Sequence, residues 1–384
     1  MKRAIVLAGG GSKGAYQIGA WKALRELNIT FDIVTGTSIG AVNGAMIVQD
    51  DYEKAYEFWK ELSVDQVMNT NIPINNNITI SNGLGTLRHQ KEQLVPFVKD
   101  FMANKGADIQ PFKDGLDEYL DEKRLMESKI AYGLMTVKFP NMVPVEITKE
   151  KIKPGYLQKW VLASASCFPA FPICKIDESS FIDGGYYDNL PIDTAFRLGA
   201  DEVIAISLKS PAPTKSYLSN PLVTIIEPSH SLGGFLEFET EGITNNMSLG
   251  YNDTMKTFGK LCGKSYSFCM VEQSEYEEIA RMLMLKMIRK ELGRSCRVGR
   301  RSLRSEKKMS AVDFLLGNTD KQDLFTCFLL FLENCMQVLQ YDYYKIYEID
   351  VVLEEIKGQA HEPAFMGKAL ENICAKEFVK AISK

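Results

Sequence analysis

Phe31-Asp32-Ile33-Val34-Thr35-Gly36-Thr37-Ser38-Ile39-Gly40-Ala41-Val42-Asn43-Gly44-Ala45 passes from an apolar run, through G-x-S-x-G, into a string of small residues. That order predicts strand, sharp turn and helix, the local form of a nucleophile elbow, which lifts a serine hydroxyl clear of a sheet edge. Gly36 and Gly40 suit such a turn because side chains there would collide with the adjoining strand or helix. Thr37 and Ile39 complete the elbow around Ser38. The following helix points its N-terminal N–H groups towards the place where negative charge would develop. Taken alone, the pentapeptide is equally consistent with a glycine-rich turn carrying an incidental serine.

Upstream, Arg3 to Leu7 reads as a short buried strand and Ala15 to Leu27 as a helix with Ile18, Trp21, Leu24 and Leu27 on one face. With the strand Asp32 to Thr35 they form a βαβ unit, so a parallel sheet with a right-handed crossover is expected. Gly9-Gly10-Gly11-Ser12-Lys13-Gly14 joins the first strand to the helix. It fits G-x-G-x-x-G formally, but a dinucleotide site wants an acidic residue at the far end of the second strand, and Asp32 stands at its start. No G-K-[ST] closes it as a phosphate-cradling loop. The third reading is an oxyanion hole, in which unhindered backbone N–H groups face a developing alkoxide. Both this loop and the elbow follow parallel strands and so belong to the same edge of the sheet.

Further along, Asp50 to Leu62 is helical in pattern, Asn69 to Asn82 irregular, and Gln90 to Lys105 and Asp114 to Leu125 helical. Ile130 to Ile147 reads as two strands around Pro140-Asn141. A short helix at Gly155 to Leu162 runs into the small-residue and proline segment Ala163 to Pro172, which must lie tight against something. Phe181-Ile182-Asp183-Gly184-Gly185 delivers a carboxylate to a two-glycine turn. It is either a D-G hairpin turn or a general base held on a rigid corner. Leu198 to Asp201 closes a helix, Val203 to Leu208 and Thr224 to Glu227 read as strands, and a helix starts at Ser248.

The chain of 384 residues, with 45% hydrophobic and 24% charged residues, has the composition of a soluble globular protein of one or two domains. A net charge of −4 gives no whole-chain argument for nucleic acid. No apolar run approaches the ~18 residues of a membrane span. The glycines after Ala8 cut off a signal-peptide core, so a cytoplasmic protein with reduced thiols is expected. The eight cysteines show no C-x-x-C pairing, and neither a metal nor a cofactor is called for.

Three stretches together, the glycine loop 9–14, the elbow 36–40 and Asp183-Gly184-Gly185, resemble the patatin-like phospholipase family in order and spacing. Ala163 to Pro172, Asp188-Asn189-Leu190-Pro191 and Leu198 to Leu208 add to the likeness, which covers roughly Lys2 to Phe258. Lys13 stands where many members have arginine. The resemblance implies a three-layer α/β/α sandwich with a mainly parallel central sheet. It implies a Ser38–Asp183 dyad without a catalytic histidine, and an oxyanion hole in the glycine loop, chiefly at Gly10 and Gly11. It also implies a lipid or phospholipid ester as substrate, usually cleaved without calcium. Of the three histidines, His89, His230 and His361, the two that follow Asp183, His230 and His361, lie in polar stretches and carry no motif around them.

The expected division is an acyl hydrolase domain at 1–258 and a helical region of unknown role at 259–384. In the latter, Glu275 to Leu292, Val312 to Leu339 and Tyr343 to Ile356 read as helices. Arg294 to Lys308 is strongly basic, either a solvated linker or a segment drawn to anionic lipid at a membrane surface. Two other readings of the whole stay open at this level: a non-catalytic lipid-binding protein of the same fold and, on the glycine loop alone, a dinucleotide-dependent oxidoreductase. The oligomeric state is not legible.

Overall fold

The computed structural model describes residues 1–69, 107–209, 215–298, 324–359 and 373–382. The expected irregular segment 70–82, helix 90–105, most of the basic run 294–308, and His89 and His361 lie outside the described residues. The chain divides into two compact units, Met1–Thr257 and Phe258–Lys384.

In the first unit the strands are β1 (Arg3–Leu7), β2 (Ile33–Thr37), β3 (Ala131–Phe139), β4 (Val143–Thr148), β5 (Cys174–Ile176), β6 (Ser179–Asp183), β7 (Glu202–Ile206) and β8 (Val223–Ile226). The helices are α1 (Ala15–Glu26), α2 (Ile39–Val48), α3 (Tyr52–Glu61), α4 (Val64–Val67), α5 (Gln110–Tyr119), α6 (Glu122–Glu127), α7 (Leu157–Ser164), α8 (Ile192–Arg197), α9 (Lys215–Leu218) and α10 (Thr240–Thr257). The sheet order is β5-β6-β3-β2-β1-β7-β8, with β4 on the outer edge of β3. β3, β2, β1, β7 and β8 run parallel, and β4, β5 and β6 form the antiparallel end.

Alternation along the strands sorts the core into two layers. Ala4, Val6, Val203 and Ala205 pack with Ile192 and Ala195 of α8 on one face. On the other, α2 lies against Val34, Leu7 and Tyr132, close enough that a Cβ at Gly44 would touch all three. Tyr132 donates to the Ala41 carbonyl of α2, and Thr136 to the Ala163 carbonyl of α7. Helices thus cover both faces of a mostly parallel sheet.

Two local expectations in the first unit need correction. The single helix over 114–125 is two, α5 and α6, broken at Leu120-Asp121, where Asp121 caps α6 by accepting from Arg124 N–H. The helix expected from Ser248 begins eight residues earlier, at Thr240. Its N-terminal turns carry Glu241, Gly242, Asn245 and Asn246, which hide the apolar period.

The second unit is not wholly helical. Beside α11 (Ser274–Val298), α12 (Leu324–Val338), α13 (Ile349–Gln359) and α14 (Ile373–Ile382) it holds β9 (Leu261–Cys262), β10 (Ser267–Cys269) and β11 (Ile346–Tyr347) in a small sheet. The helix expected from Tyr343 therefore starts only at Ile349, after β11. These strands are too short to show a period of two. The β9–β10 turn is held instead by Glu333 of α12, whose buried carboxylate accepts from the N–H groups of Lys264, Ser265 and Tyr266 at 2.6, 3.0 and 3.2 Å.

Candidate active site

β2 and β6 meet end to end along one edge of β3. Gly133–Met135 pair with β2 on one side and β4 on the other; Thr136–Lys138 pair with β6 and β4. Since β4 holds the outer edge throughout, β2 and β6 share the inner one. β2 ends with Thr37 opposite Met135, and β6 arrives from the other direction with Asp183 opposite Thr136. Adjacent residues of β3 therefore bring the residue before Ser38 and the carboxylate of Asp183 to one point, although 145 positions separate 38 from 183 (183 − 38).

Ser38 has φ 56° and ψ −128°, in the positive-φ region that side chains other than glycine rarely adopt. Its N–H donates to Ser164 Oγ at 2.9 Å, and that hydroxyl donates to the Met135 carbonyl at 2.7 Å. The two flanking glycines answer to crowding: a Cβ at Gly36 would overlap the Gly40 carbonyl, and one at Gly40 the Leu7 carbonyl of β1.

Asp183 is buried, and its carboxylate accepts from the Ser38 hydroxyl directly and from Gly185 N–H at 2.7 Å. Burial pushes its pKa up to about 6, and those two hydrogen bonds oppose the shift by favouring the charged form. Its own N–H donates to the Ser166 carbonyl at 2.9 Å. Gly184 turns the chain over β3, where a Cβ would overlap the Met135 carbonyl.

The glycine loop passes directly over the serine. A Cβ at Gly9 would stand 2.9 Å from the Ser38 Cβ. Among the described residues no acceptor is bonded to the N–H of Gly10 or Gly11, whereas Ser12 N–H donates to the Phe235 carbonyl at 3.0 Å and Lys13 N–H to the Gly10 carbonyl at 3.3 Å. Of the six loop residues, Gly10 and Gly11 thus keep donors available, while Ser12 and Lys13 shape the loop. Lys13 is half-buried, and its pKa is lowered by desolvation, partly offset by Glu237. Asn43 of α2 joins the parts from below. Its amide donates to the Gly14 carbonyl and to Gln17, and its carbonyl accepts from Trp59 at 2.8 Å.

The stretches 188–191 and 163–172, which add to the family likeness, acquire specific contacts in the site. Asn189 bridges the loop and the Asp183 corner. Its backbone carbonyl accepts from Gly9 N–H at 3.1 Å and its side-chain amide donates to the Gly9 carbonyl at 3.0 Å. The stretch behind it is pinned to β2 by Thr37 donating to the Asp188 carbonyl and Thr35 to that of Pro191. Segment 163–172 lies tight against this corner through Ser164, Ser166 and Cys167. Burial, then the Asp183 charge, pushes the Cys167 thiol up to about 12, and the thiol is hydrogen-bonded to Tyr186. Tyr186 in turn donates to the Phe168 carbonyl. Among the described residues no group of three His, Cys, Asp or Glu could hold a metal ion.

A family model for patatin-like phospholipases matches residues 5–196, which include Ser38, Asp183 and the glycine loop. The chain belongs to the patatin-like phospholipase family. Curated relatives agree over the same region. Lysophospholipase nte1 of Aspergillus terreus is 27% identical over 208 residues, 54% of this chain and 12% of the relative. Patatin-like phospholipase domain-containing protein 7 of Mus musculus is 28% identical over 220 residues, 54% of this chain and 14% of that protein. The chain thus spans only about an eighth of the length of these patatin-like relatives. Among solved structures, VipD from Legionella pneumophila superposes with a TM-score of 0.45 at 13% identity, over 99% of this chain and 84% of VipD. No helix of the described residues is long and apolar enough to cross a membrane.

Proposed function

We propose that the chain is a lipid acyl hydrolase that cleaves carboxylic esters of phospholipids or lysophospholipids through an acyl-enzyme on Ser38. The observation that carries this reading is the Ser38 hydroxyl, set on a positive-φ elbow and bonded to a buried carboxylate with no imidazole between. Family membership and the lysophospholipase names of the relatives supply the substrate class.

In the first half-reaction Ser38 Oγ attacks the ester carbonyl carbon while Asp183 takes the hydroxyl proton. The alkoxide formed on the carbonyl oxygen is met by the uncommitted N–H groups of Gly10 and Gly11; one such donor is typically worth about 2.7–4 kcal/mol. The intermediate collapses, Asp183 returns its proton to the departing alcohol, and the acyl group stays on Ser38. In the second half a water molecule attacks the acyl carbon with Asp183 again as base, and the fatty acid leaves with Ser38 restored.

A fluorophosphonate probe is expected to label the protein once, at the peptide containing Ser38, and to leave the Ser38→Ala protein unlabelled. Labelling that survives Ser38→Ala, or full esterase activity in that variant, removes the reading. Absence of both labelling and hydrolysis in the native chain leaves a lipid-binding protein that keeps the fold. Asn189 acts as a positioning residue here: Asn189→Ala is expected to lower kcat about tenfold with KM little changed, because it loosens the donors rather than substrate contacts. Steady-state kinetics on a soluble ester check this, and an equal rise in KM would contradict it.

A further inference from the structure

β3 does not stop at the level of the nucleophile. Its pairing with β2 ends at Met135, and Thr136–Phe139 run on past Ser38 before the chain turns into β4 at Val143. At about 3.3 Å per residue this carries the hairpin roughly 13 Å beyond the catalytic level, on the carboxyl edge of the sheet where the candidate site opens.

What the hairpin presents there is unusual for a surface turn. Phe139-Pro140-Asn141-Met142-Val143-Pro144-Val145 contains no charged residue, and Lys138 and Glu146 bound it. Met142 and Val143 are 47% and 49% exposed, and Pro140, Asn141 and Pro144 are exposed as well. Met142 has φ 54°. It closes the three-residue loop Pro140–Met142 in the left-handed conformation that favours glycine or asparagine. Neither solvent exposure nor local backbone preference would select methionine at that place, so another demand selects it.

The apolar surface continues to the mouth of the site. The Phe139 ring meets the Phe168 ring with centroids 6.3 Å apart, and Phe168 is held by the Tyr186 hydroxyl, three residues beyond Asp183. Tyr186 and Tyr187 are 47% and 64% exposed. Exposed aliphatic side chains on a projecting tip, with tyrosines at its base, match the gradient of a lipid surface, where aliphatic groups enter the acyl layer and tyrosines stay at head-group depth.

We infer that the β3–β4 hairpin, through Met142 and Val143 with Tyr187 behind them, docks the protein onto a phospholipid surface and presents the mouth of the Ser38 site to it. The surface takes zwitterionic lipid without needing negative charge. Lys138, which pairs with Val143 at the tip, and Lys175 on the neighbouring β5 are balanced by Asp177 and Glu178 of the β5–β6 turn, which lies level with the tip. The docking role rests on the proposed lipid substrate for its purpose, but its test does not depend on hydrolysis.

The test uses the full chain carrying Ser38→Ala, floated with phosphatidylcholine vesicles at low and at high salt. The protein is expected to float at both, because insertion of apolar side chains is not screened. Adding Met142→Asp and Val143→Asp is expected to weaken partitioning at least about tenfold. Met142→Asn with Val143→Thr, which suits the turn and adds no charge, is expected to weaken it severalfold and serves if the aspartate variant misfolds. With Ser38 restored, both hairpin variants should hydrolyse a water-soluble short-chain ester at the native rate but act poorly on vesicles. Flotation unchanged by the hairpin variants overturns the inference. So does light scattering that shows a native dimer which these variants dissociate, since a second copy would then be the occupant. Hairpin-dependent flotation without any hydrolysis by the native chain would instead sink the enzymatic reading and leave the docking surface standing.

Discussion

Asparagine in place of Asp183 is expected to slow hydrolysis by about three orders of magnitude and, at neutral pH, to make the first unit more stable. The two effects share a cause. Burial raises the carboxyl pKa from 3.8 to about 6. An acid with a higher pKa folded than unfolded binds its proton more tightly in the folded chain. Stability is therefore highest below about 3.8, falls as pH rises to about 6, and stays reduced above it. The interval corresponds to at most about 3 kcal/mol held at neutral pH as the cost of an ionised buried base. Asparagine keeps an oxygen for Gly185 N–H and offers an N–H to the Ser38 oxygen, but never ionises, so it relieves that cost and removes the base together. Urea unfolding at pH 8 should show the variant ahead of the native chain, with the gap closing towards pH 4.5. In the native chain, kcat/KM should climb with pH through about 6 and then level off, because only the ionised carboxylate can take the serine proton. A variant that retains native hydrolysis would rule out Asp183 as the base. A rate that falls on crossing pH 6 upward would do the same.

How much of this was legible beforehand depended on the range of the signal. The elbow is a local device: crowding at Gly36 and Gly40 and the turn at Ser38 are written in five consecutive residues, and so is the alternation of strand and helix around them. Asp183 was visible only as a motif, because what brings it beside Ser38 is a register. β2 and β6 abut on the same edge of β3, and no spacing along the chain encodes which strand another will pair with. Ser164 and Asn189 lay in stretches that add to the family likeness, but their contacts were hidden for the same reason. Each is a common polar residue whose role exists only once three distant segments converge. The segment 163–172 did announce itself by its small side chains, which say that something packs closely but not what. In the second unit, strands of two or three residues are shorter than any period that could reveal them, and Glu333 ties down their turn from 60 or more positions away. The β3–β4 hairpin was readable as a hairpin, whereas its projection past Ser38 required the length of the β2–β3 ladder.

Gly250→Ala is expected to destabilise the first unit by about 3 kcal/mol, a large effect for one added methyl group. α1 and α10 cross with almost no separation: a Cβ at Gly250 would overlap the Tyr16 carbonyl, and a Cβ at Gly19 would overlap that of Met247. Both obstacles are backbone atoms inside helices, so neither can swing aside as a side-chain tip would. Around the crossing, Asp253 accepts from the Tyr16 hydroxyl at 3.1 Å and from Ser229 N–H at 2.9 Å, and pairs with Lys256 at 2.8 Å. Separating the helices would stretch this buried cluster as well as the packing. The disturbance reaches the candidate site by short routes. α1 begins where the glycine loop ends, and the segment after Ser229 carries Gly234 and Phe235, whose carbonyls hold Ser12 at 2.9 and 3.0 Å. Hydrolysis should therefore fall along with stability, even under conditions where the variant remains folded. Gly242→Ala on the same helix is the control. Nothing lies within 4 Å of its Cβ position, so alanine there should be neutral or stabilise by up to about 1 kcal/mol through helix propensity. Equal denaturation midpoints for the two alanine variants would show that the helices can part at little cost, and the coupling from the α1–α10 crossing to the glycine loop would fall with it.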